Sequence, residues 1–222
     1  DYHTGSKSVV IGIIDTGIDY NHNDLKNNIW TNPGEIPNNG IDDDKNGYID
    51  DIHGWNFYAN TNNPMDDNSH GTHVAGIAGA VGNNGIGVTG VAWKVQLVAL
   101  KFLGPNGFGS TSDAILAINY ASRMGFDIIN NSWGGEGYSQ SLRDAIASYA
   151  GVATCAAGII HQIMINILFT LPVMIAVISF LLQPPTVMII WLFSAIMGQH
   201  LLIWALPVIK FIVLSPATVM NT

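Results

Sequence analysis

Short apolar runs and amphipathic segments alternate along the first part of the chain. The apolar, β-branched run at 9–14 has the pattern of a buried parallel strand, and 95–101 and 127–131 are predicted to be further strands. Small and apolar residues predict a buried helix over 70–81. Amphipathic spacing predicts helices over 112–124 and 139–149, each opened by a serine N-cap. This alternation predicts an α/β fold with a parallel sheet.

A long polar segment interrupts this alternation at 31–69, which is rich in Asn, Asp, Gly and Pro. Loops of this length in a compact domain are usually functional or ordered by ions. The 222 residues can hold one domain with a good core. We therefore expect one domain in which this loop contributes to function.

The composition changes abruptly near Gly158. All 16 acidic residues and seven of the eight Lys and Arg precede residue 159, and Lys210 is the only formal charge after it. Of the 24 glycines, only Gly198 follows that point. We therefore treat 1–158 and 159–222 as two different kinds of sequence, the second being an apolar tail.

The acidic first part narrows the classes of function. It has no basic stripe to neutralise phosphates, so nucleic-acid binding is not expected, whereas its carboxylates suit hard cations such as calcium. The single cysteine, Cys155, excludes an intrachain disulfide. The sequence opens at Asp1 with neither an initiator Met nor a signal peptide, which we interpret as a mature or excerpted segment.

Two motifs carry candidate chemistry. In IIDTGID at 13–19 a carboxylate follows a buried strand, at the end of a parallel sheet where sites are built. In NSHGTHVAG at 68–76 an imidazole stands at a helix start among small residues. A serine hydrolase needs a buried carboxylate to fix the tautomer of the histidine that takes the nucleophile's proton. Taken singly, Asp15 also fits a turn residue and His70 a helix cap.

Together, in this order and about 55 residues apart, the two motifs closely resemble the aspartate and histidine blocks of the subtilisin-like serine proteases. The resemblance covers nearly all of 1–158. It implies a three-layer α/β fold, endopeptidase activity through an acyl-enzyme, a peptide or protein substrate and an extracellular location. It also implies that Asp15 orients His70 and that His70 is the general base.

Two glycine-rich segments extend the resemblance to substrate binding. Residues 103–110, LGPNGFGS, look like the family strand that pairs with an extended substrate, and 131–135, NSWGG, are similar to the second substrate-binding strand. The resemblance assigns the contacts to Gly107, Phe108, Gly109, Ser132, Trp133 and Gly134. Taken alone, both segments also fit ordinary glycine-rich loops.

Calcium is the expected cofactor. The run DDDKNGYIDD at 42–51 places oxygen ligands at alternate positions around a glycine turn, and a bound Ca²⁺ would relieve the repulsion between its charges. The expected ligands are Asp42, Asp44, Asn46, Tyr48 and Asp50. The run opens like an EF-hand loop but has His53 at the twelfth position, and it also fits a solvated acidic turn.

A second calcium site is implied by the resemblance alone. The segment GNNGIGV at 82–88 looks like the calcium loop that follows the histidine helix in the family. In it Asn84 would offer its side chain, Asp24 a carboxylate, and three residues their carbonyl groups: Gly82, Ile86 and Val88.

The resemblance stops after Gly158. The family continues with an Asn that helps form the oxyanion hole, and losing one such donor costs on the order of 3 kcal/mol of transition-state stabilisation. This chain continues with Ile159. The family's nucleophile block, Gly-Thr-Ser-Met-Ala, is also absent, and Ser179, Ser194 and Ser215 lie in apolar surroundings without it. We therefore expect no triad-dependent proteolysis from the chain as written.

Two interpretations of 159–222 stay open. Read literally, 163–182 and 186–214 are long enough to cross a bilayer core of about 30 Å, and the chain would be a membrane-anchored, peptide-binding pseudoprotease. We prefer a one-base deletion near the Gly158 codon. In the shifted frame position 159 can encode the missing Asn. Three later stretches can then encode the family-like segments YPASYD, IISVAATD and DLGAPG, at 170–175, 179–186 and 203–208.

Overall fold

A computed structural model describes residues 3–135 and 137–155 with their side chains, and the backbone of three short strands beyond residue 155. In its main sheet all neighbouring strands are parallel, and their spatial order is β2-β3-β1-β4-β5. The five strands are β1 (Gly5–Asp15), β2 (Gly54–Asn56), β3 (Lys94–Lys101), β4 (Ile128–Asn131) and β5 (Val152–Cys155). The predicted parallel α/β sheet is confirmed.

Helices cover both faces of this sheet. The described helices are α1 (His70–Gly79), α2 (Thr111–Arg123) and α3 (Gln140–Ser148), and a 3-10 turn spans Lys26–Asn28. Ile14 faces one side of β1, in the core that contains buried residues of α2 and α3, while Ile13 faces the other side, in the core that contains Ala75 of α1. Successive strand residues point to opposite faces, so a continuous apolar run serves both cores.

Of the two predicted serine N-caps, one is confirmed and the other is wrong. Ser139 caps α3, because its hydroxyl accepts a hydrogen bond from Leu142 N at 3.2 Å. The helix α2 begins before Ser112, and its cap is Ser110, whose hydroxyl accepts from Asp113 N at 3.0 Å. Ser110 has the extended backbone that a cap requires, whereas Ser112 already lies in the first helical turn.

The described parts of the apolar tail are strands. The segments β6 (Val177–Leu181), β7 (Met188–Leu192) and β8 (Ile203–Trp204) form an antiparallel sheet in that order. The stretches 163–182 and 186–214, which are long enough to span a bilayer, otherwise lie outside the described residues. Among the helices that the structure describes, none combines the length and the apolar character that a membrane crossing requires.

Candidate functional site

Asp15 lies at the carboxyl end of the central strand β1 and is completely buried. Its Oδ1 accepts a hydrogen bond from Thr16 N at 2.7 Å. Its backbone carbonyl accepts from Phe102 N and Leu103 N, at 3.0 and 3.2 Å, just after β3. Within residues 3–135 and 137–155, Asp15 Oδ2 has no hydrogen-bond partner. The sheet therefore fixes this carboxylate from two directions.

His70 is the first residue of α1, and its Nδ1 lies 2.8 Å from Asp15 Oδ1. Its side chain is 49% exposed, whereas that of Asp15 is fully covered. The expectation that these two side chains lie within hydrogen-bonding reach is confirmed. The imidazole thus connects a buried charge to the protein surface.

Burial raises the pKa of Asp15, because a carboxylate loses hydration inside the protein. Hydrogen bonds from His70 and Thr16 N oppose that rise, and each favours the ionised form. An ionised carboxylate only accepts hydrogen bonds, so the proton in the contact with His70 belongs to Nδ1. In the neutral tautomer with this Nδ1 proton, the second ring nitrogen of His70 is the acceptor, which is the arrangement of a general base.

A groove of about 900 Å³ runs beside α1, but it does not contain this pair. His73, one turn after His70, lines it together with His22, Asp19 and apolar residues such as Ile77. His70 is not among the residues that line the groove. The volume of the groove is therefore no measure of the Asp15–His70 site.

The first predicted substrate segment folds as a tight hairpin loop. Gly107 N donates to Gly104 O and Gly104 N donates to Phe108 O, both at 2.9 Å, and Gly107 has φ +77°. Pro105 suits the second position of such a turn, and a left-handed glycine completes it. Phe108 is 74% exposed on the returning arm. Residues 104–107 of the predicted strand are thus a turn.

The second predicted substrate segment follows β4. Trp133 packs its indole against Phe102, which follows β3, with ring centroids 4.7 Å apart. The Ser132 hydroxyl accepts a hydrogen bond from Asn130 Nδ2 at 2.8 Å. The carboxyl ends of β3 and β4 therefore place the two segments on the same edge of the sheet as Asp15.

The acidic loop brings together part of the first predicted calcium site. Carboxylate oxygens of Asp42 and Asp44 lie within 4.8 Å of one another and of Glu35, which the sequence analysis missed. Asp50 instead accepts hydrogen bonds from Asn39 N and Gly40 N. The rings of Tyr48 and Tyr120 pack edge to face, and Asn46 donates to Asp44 and Asp51.

The second predicted calcium loop closes on Asp24. Asn84 Nδ2 donates to Asp24 Oδ1 at 2.7 Å, and Val88 N donates to Asp24 Oδ2 at 2.8 Å. The oxygen of the Asn84 amide accepts from Ile86 N at 3.0 Å. The expected residues are thus neighbours, and hydrogen bonds within the loop engage the side-chain oxygens of Asp24 and Asn84.

Two polar residues beside the pair were missed from sequence. Lys101 is almost fully buried, and its Nζ donates to Thr16 O, Leu103 O and Asp67 Oδ1, at 2.6, 2.8 and 2.7 Å. Asp66 accepts five hydrogen bonds around the start of α1. Lys101 could have been noticed in the sequence as a charged residue at the end of a mainly apolar strand. Asp66 could have been noticed only by its position, three residues before Ser69.

The sequence matches the pattern of one protein family, the subtilase family, over residues 6–169. This stretch includes Asp15, His70 and both predicted substrate segments. The match covers more than half of the chain. It passes Gly158 and ends well before the carboxyl terminus.

Curated relatives agree with this family. Subtilisin-like protease 1 of Plasmodium vivax is 48% identical over 137 residues, which are 61% of this chain and 22% of the relative. Thermophilic serine proteinase of Bacillus sp. (strain AK1) is 37% identical over 162 residues, 71% of this chain and 35% of the relative. Cell wall-associated protease of Bacillus subtilis is 37% identical over 126 residues, 57% of this chain and 12% of the relative. The chain thus spans well under half the length of each.

Proposed function

Because the chain belongs to the subtilase family, we propose that its Asp15–His70 pair is the acid–base half of a serine endopeptidase acting on peptides or proteins. The observation that carries the proposal is the 2.8 Å contact between His70 Nδ1 and the buried Asp15 Oδ1. In such a pair the carboxylate holds the imidazole in the tautomer that can accept the proton of a serine hydroxyl. Because the family's nucleophile block is absent from the 222 residues, the proposal places the serine outside them.

In the proposed reaction His70 takes the proton of the serine as the serine attacks the scissile carbonyl. His70 then gives that proton to the leaving amine as the peptide C–N bond breaks, and an acyl-enzyme remains. Water hydrolyses the acyl-enzyme by the same route. Asp15 stabilises the imidazolium formed in each half. The returning arm 107–109 and residues 132–134 would hold the substrate backbone in an extended form.

We further propose that 159–222 results from a one-base deletion near the Gly158 codon. Sequencing the DNA across codons 155–162 tests this directly. We expect the DNA to contain one more nucleotide there than the coding sequence that gives residues 159–222 as printed. An uninterrupted, error-free frame through those codons would reject the deletion. A membrane-anchored pseudoprotease would then be tested by fractionating the expressed chain between membrane and soluble phases.

Activity is tested by casein hydrolysis, comparing the printed 222-residue chain with a chain in which the frame is restored and the gene is translated through a nucleophile block. We expect no hydrolysis by the first and hydrolysis by the second. His70→Ala should lower kcat by roughly 10⁶-fold and Asp15→Asn by roughly 10⁴-fold, magnitudes that come from serine proteases, including subtilisin itself, and are not worked from this structure. His73→Ala is the matched control, because His73 lies on the same helix and is also exposed.

Retention of full activity in His70→Ala would contradict the proposed role of the pair. Casein hydrolysis by the printed chain that His70→Ala abolishes would contradict a different point, namely that the nucleophile lies outside the 222 residues. The two results separate the chemistry of the pair from the completeness of the sequence.

We also propose that calcium binds the acidic loop, with Glu35, Asp42 and Asp44 as ligands. Three carboxylates that approach within 4.8 Å repel one another unless a cation lies between them. Calcium titration should raise the urea midpoint of the full chain, and Asp42→Asn should remove that gain. Asp113→Asn, on the first turn of α2, is the matched control and should leave it unchanged. An equal calcium response in both variants would reject this site.

An extracellular location is proposed from the relatives. One of them is named for its association with the cell wall. A fold that depends on calcium suits an extracellular medium, because extracellular calcium sites typically have weak affinities and are filled only where calcium is abundant. Western blotting of culture medium against cell lysate from the source organism tests the proposal, and recovery in the lysate alone would contradict it.

A further inference from the structure

The helix that carries His70 lacks a cap from the residue before it. The side chain of Ser69 makes no capping hydrogen bond to α1, and Ser69 has a left-handed backbone with φ +88°. The first N–H groups of any helix have no partner within that helix. The partners at the start of α1 must therefore come from elsewhere in the protein.

Thr16 and Asp66 supply those partners. The Thr16 hydroxyl accepts a hydrogen bond from Gly71 N at 2.8 Å, and Asp66 Oδ2 accepts from Thr72 N at 2.9 Å. Asp66 Oδ2 also accepts from the Thr72 hydroxyl, at 2.6 Å. Two separate segments thus replace the missing serine cap.

The same two side chains are bonded to each other. The Thr16 hydroxyl donates its proton to Asp66 Oδ1 at 2.8 Å, which leaves its lone pairs for Gly71 N. Asp66 Oδ1 accepts two further hydrogen bonds, from Asn68 N and Ser69 N at 2.9 and 3.0 Å. One carboxylate therefore joins the residue next to Asp15, the loop before His70 and the first turn of α1.

Burial of Asp66 would raise its pKa, but the hydrogen bonds from Thr72, from Asn68 N and from Thr16 outweigh it and lower the pKa below its usual range. The carboxylate therefore stays ionised and bonded at neutral pH. Space is also restricted here, because a Cβ added to Gly71 would meet Gly17 O at 2.1 Å. The start of α1 and the turn after β1 are thus in direct contact as well as bridged.

We propose that Asp66 is a positioning residue that, through Thr16 and Thr72, locks the first turn of α1 onto β1 and so holds His70 Nδ1 on Asp15 Oδ1. The inference rests on the proposed role of the Asp15–His70 pair. Its basis is that the pair joins two elements, and catalytic groups need to be held within about 0.5 Å of the productive position. The chain that transmits this constraint is Asp66–Thr16–Gly71 on one side and Asp66–Thr72 on the other.

The test reads the His70–Asp15 hydrogen bond by NMR on the ¹⁵N-labelled full chain. The Nδ1 proton of a histidine bonded to a carboxylate resonates far downfield of the amide protons, and Asp15→Asn assigns it by removing it. We expect the resonance to persist in Thr16→Ser, which keeps the hydroxyl, and to be lost in Thr16→Val and Asp66→Asn. Asp113→Asn removes a carboxylate from another helix start and should leave the resonance unchanged.

Folding of each variant is checked by its circular dichroism and its urea midpoint. Folded Thr16→Val and Asp66→Asn with an unshifted resonance would overturn the proposal while leaving the pair intact. If Asp66→Asn does not fold, Thr16→Val and Thr16→Ser decide, because Val keeps the shape of Thr16 without its hydroxyl and Ser keeps the hydroxyl without the methyl group. Absence of the resonance from the unsubstituted chain would instead overturn the proposed function itself.

Discussion

Removing one hydroxyl from the core, in Tyr120→Phe, should destabilise the protein about twice as much as the same change at Tyr149. Tyr120 OH donates a hydrogen bond to the completely buried carboxylate of Asp51. Tyr149 OH donates instead to the neutral carbonyl of Phe126, at 2.5 Å. Both rings are buried, and phenylalanine preserves their packing, so the comparison isolates the acceptor's charge.

The magnitude follows from what remains bonded to Asp51. Among the residues whose side chains are described, the donors left to this carboxylate in Tyr120→Phe are the amides of Asn32 and Asn46, both at 2.8 Å. A hydrogen bond to a charged group contributes about 1.5–3 kcal/mol and a neutral one about 0.5–1.5 kcal/mol. With a urea dependence of about 2 kcal/mol per molar, the midpoint should fall by about 1 M for Tyr120→Phe and by about half as much for Tyr149→Phe.

The destabilisation caused by Tyr120→Phe should depend on pH, because it acts on the ionised form of Asp51. Burial raises the pKa of Asp51, and the hydrogen bonds from Tyr120, Asn46 and Asn32 oppose that rise. The ionised form is the one that loses most in Tyr120→Phe, so the deficit is full above the raised pKa and shrinks as the pH falls below it.

The assay is urea unfolding followed by tryptophan fluorescence at about pH 8 and about pH 5, the latter nearer the range in which a raised carboxyl pKa takes effect. Tyr149→Phe should show no comparable change between the two pH values. Equal midpoint shifts for both variants, unchanged by pH, would show that Tyr120 does not serve a buried charge.

Three further predictions concern single residues. Ser69→Gly should raise the free energy of unfolding by up to about 1 kcal/mol, because Ser69 is in the left-handed region and caps nothing, whereas Ser69→Ala should give no such gain; equal urea midpoints for the two would contradict this. Burial raises the pKa of Cys155 to about 12, so a thiol reagent should modify it at least about 100-fold faster in urea than in the folded protein, and fast labelling without urea would contradict its burial. The pKa of Asp66 is lowered in the folded protein, so its hydrogen bonds stabilise the fold fully at pH values above the ordinary carboxyl pKa, and this stabilisation disappears as the pH falls through the lowered pKa. Asp66→Asn should therefore reduce the fall in melting temperature at acid pH, and an unchanged fall would contradict this.

The strands were predictable where they were apolar and long. The core of β1 was found because Ile13 and Ile14 are buried on opposite faces of the sheet, and a short continuous β-branched run is typical of a strand covered on both sides. The strand actually begins at Gly5, since backbone pairing with β3 extends into residues whose side chains are partly exposed and carry no apolar signal. The short strand β2 was missed because three residues inside a polar loop carry no periodicity; its pairing with β3 is a tertiary contact.

From the sequence one could predict which strand ends and helix starts meet at the site, but not the polar residues that surround them. The carboxyl ends of parallel strands share one edge, so a carboxylate after β1 and a histidine at the next helix start could be expected to meet there. Glu35 was missed because it joins Asp42 and Asp44 only when the loop folds back on itself. Asp66 was missed because its partners, Thr16 and Thr72, are separated in sequence by the whole of that loop.

The placement of Lys101 leaves the Asp15 carboxylate without a direct ion pair to this ammonium, so that its charge faces His70. The two residues are directly paired in register on adjacent strands, so an ion pair between them would be the simplest outcome. Instead, the Lys101 ammonium is directed to Thr16 O, Leu103 O and the carboxylate of Asp67. An ammonium bonded to Asp15 would have offset the negative charge that stabilises an imidazolium, and would have competed with Nδ1 for the same oxygens. By bonding to the two segments that flank Asp15, Lys101 fixes the position of the carboxylate while its own charge is compensated by Asp67.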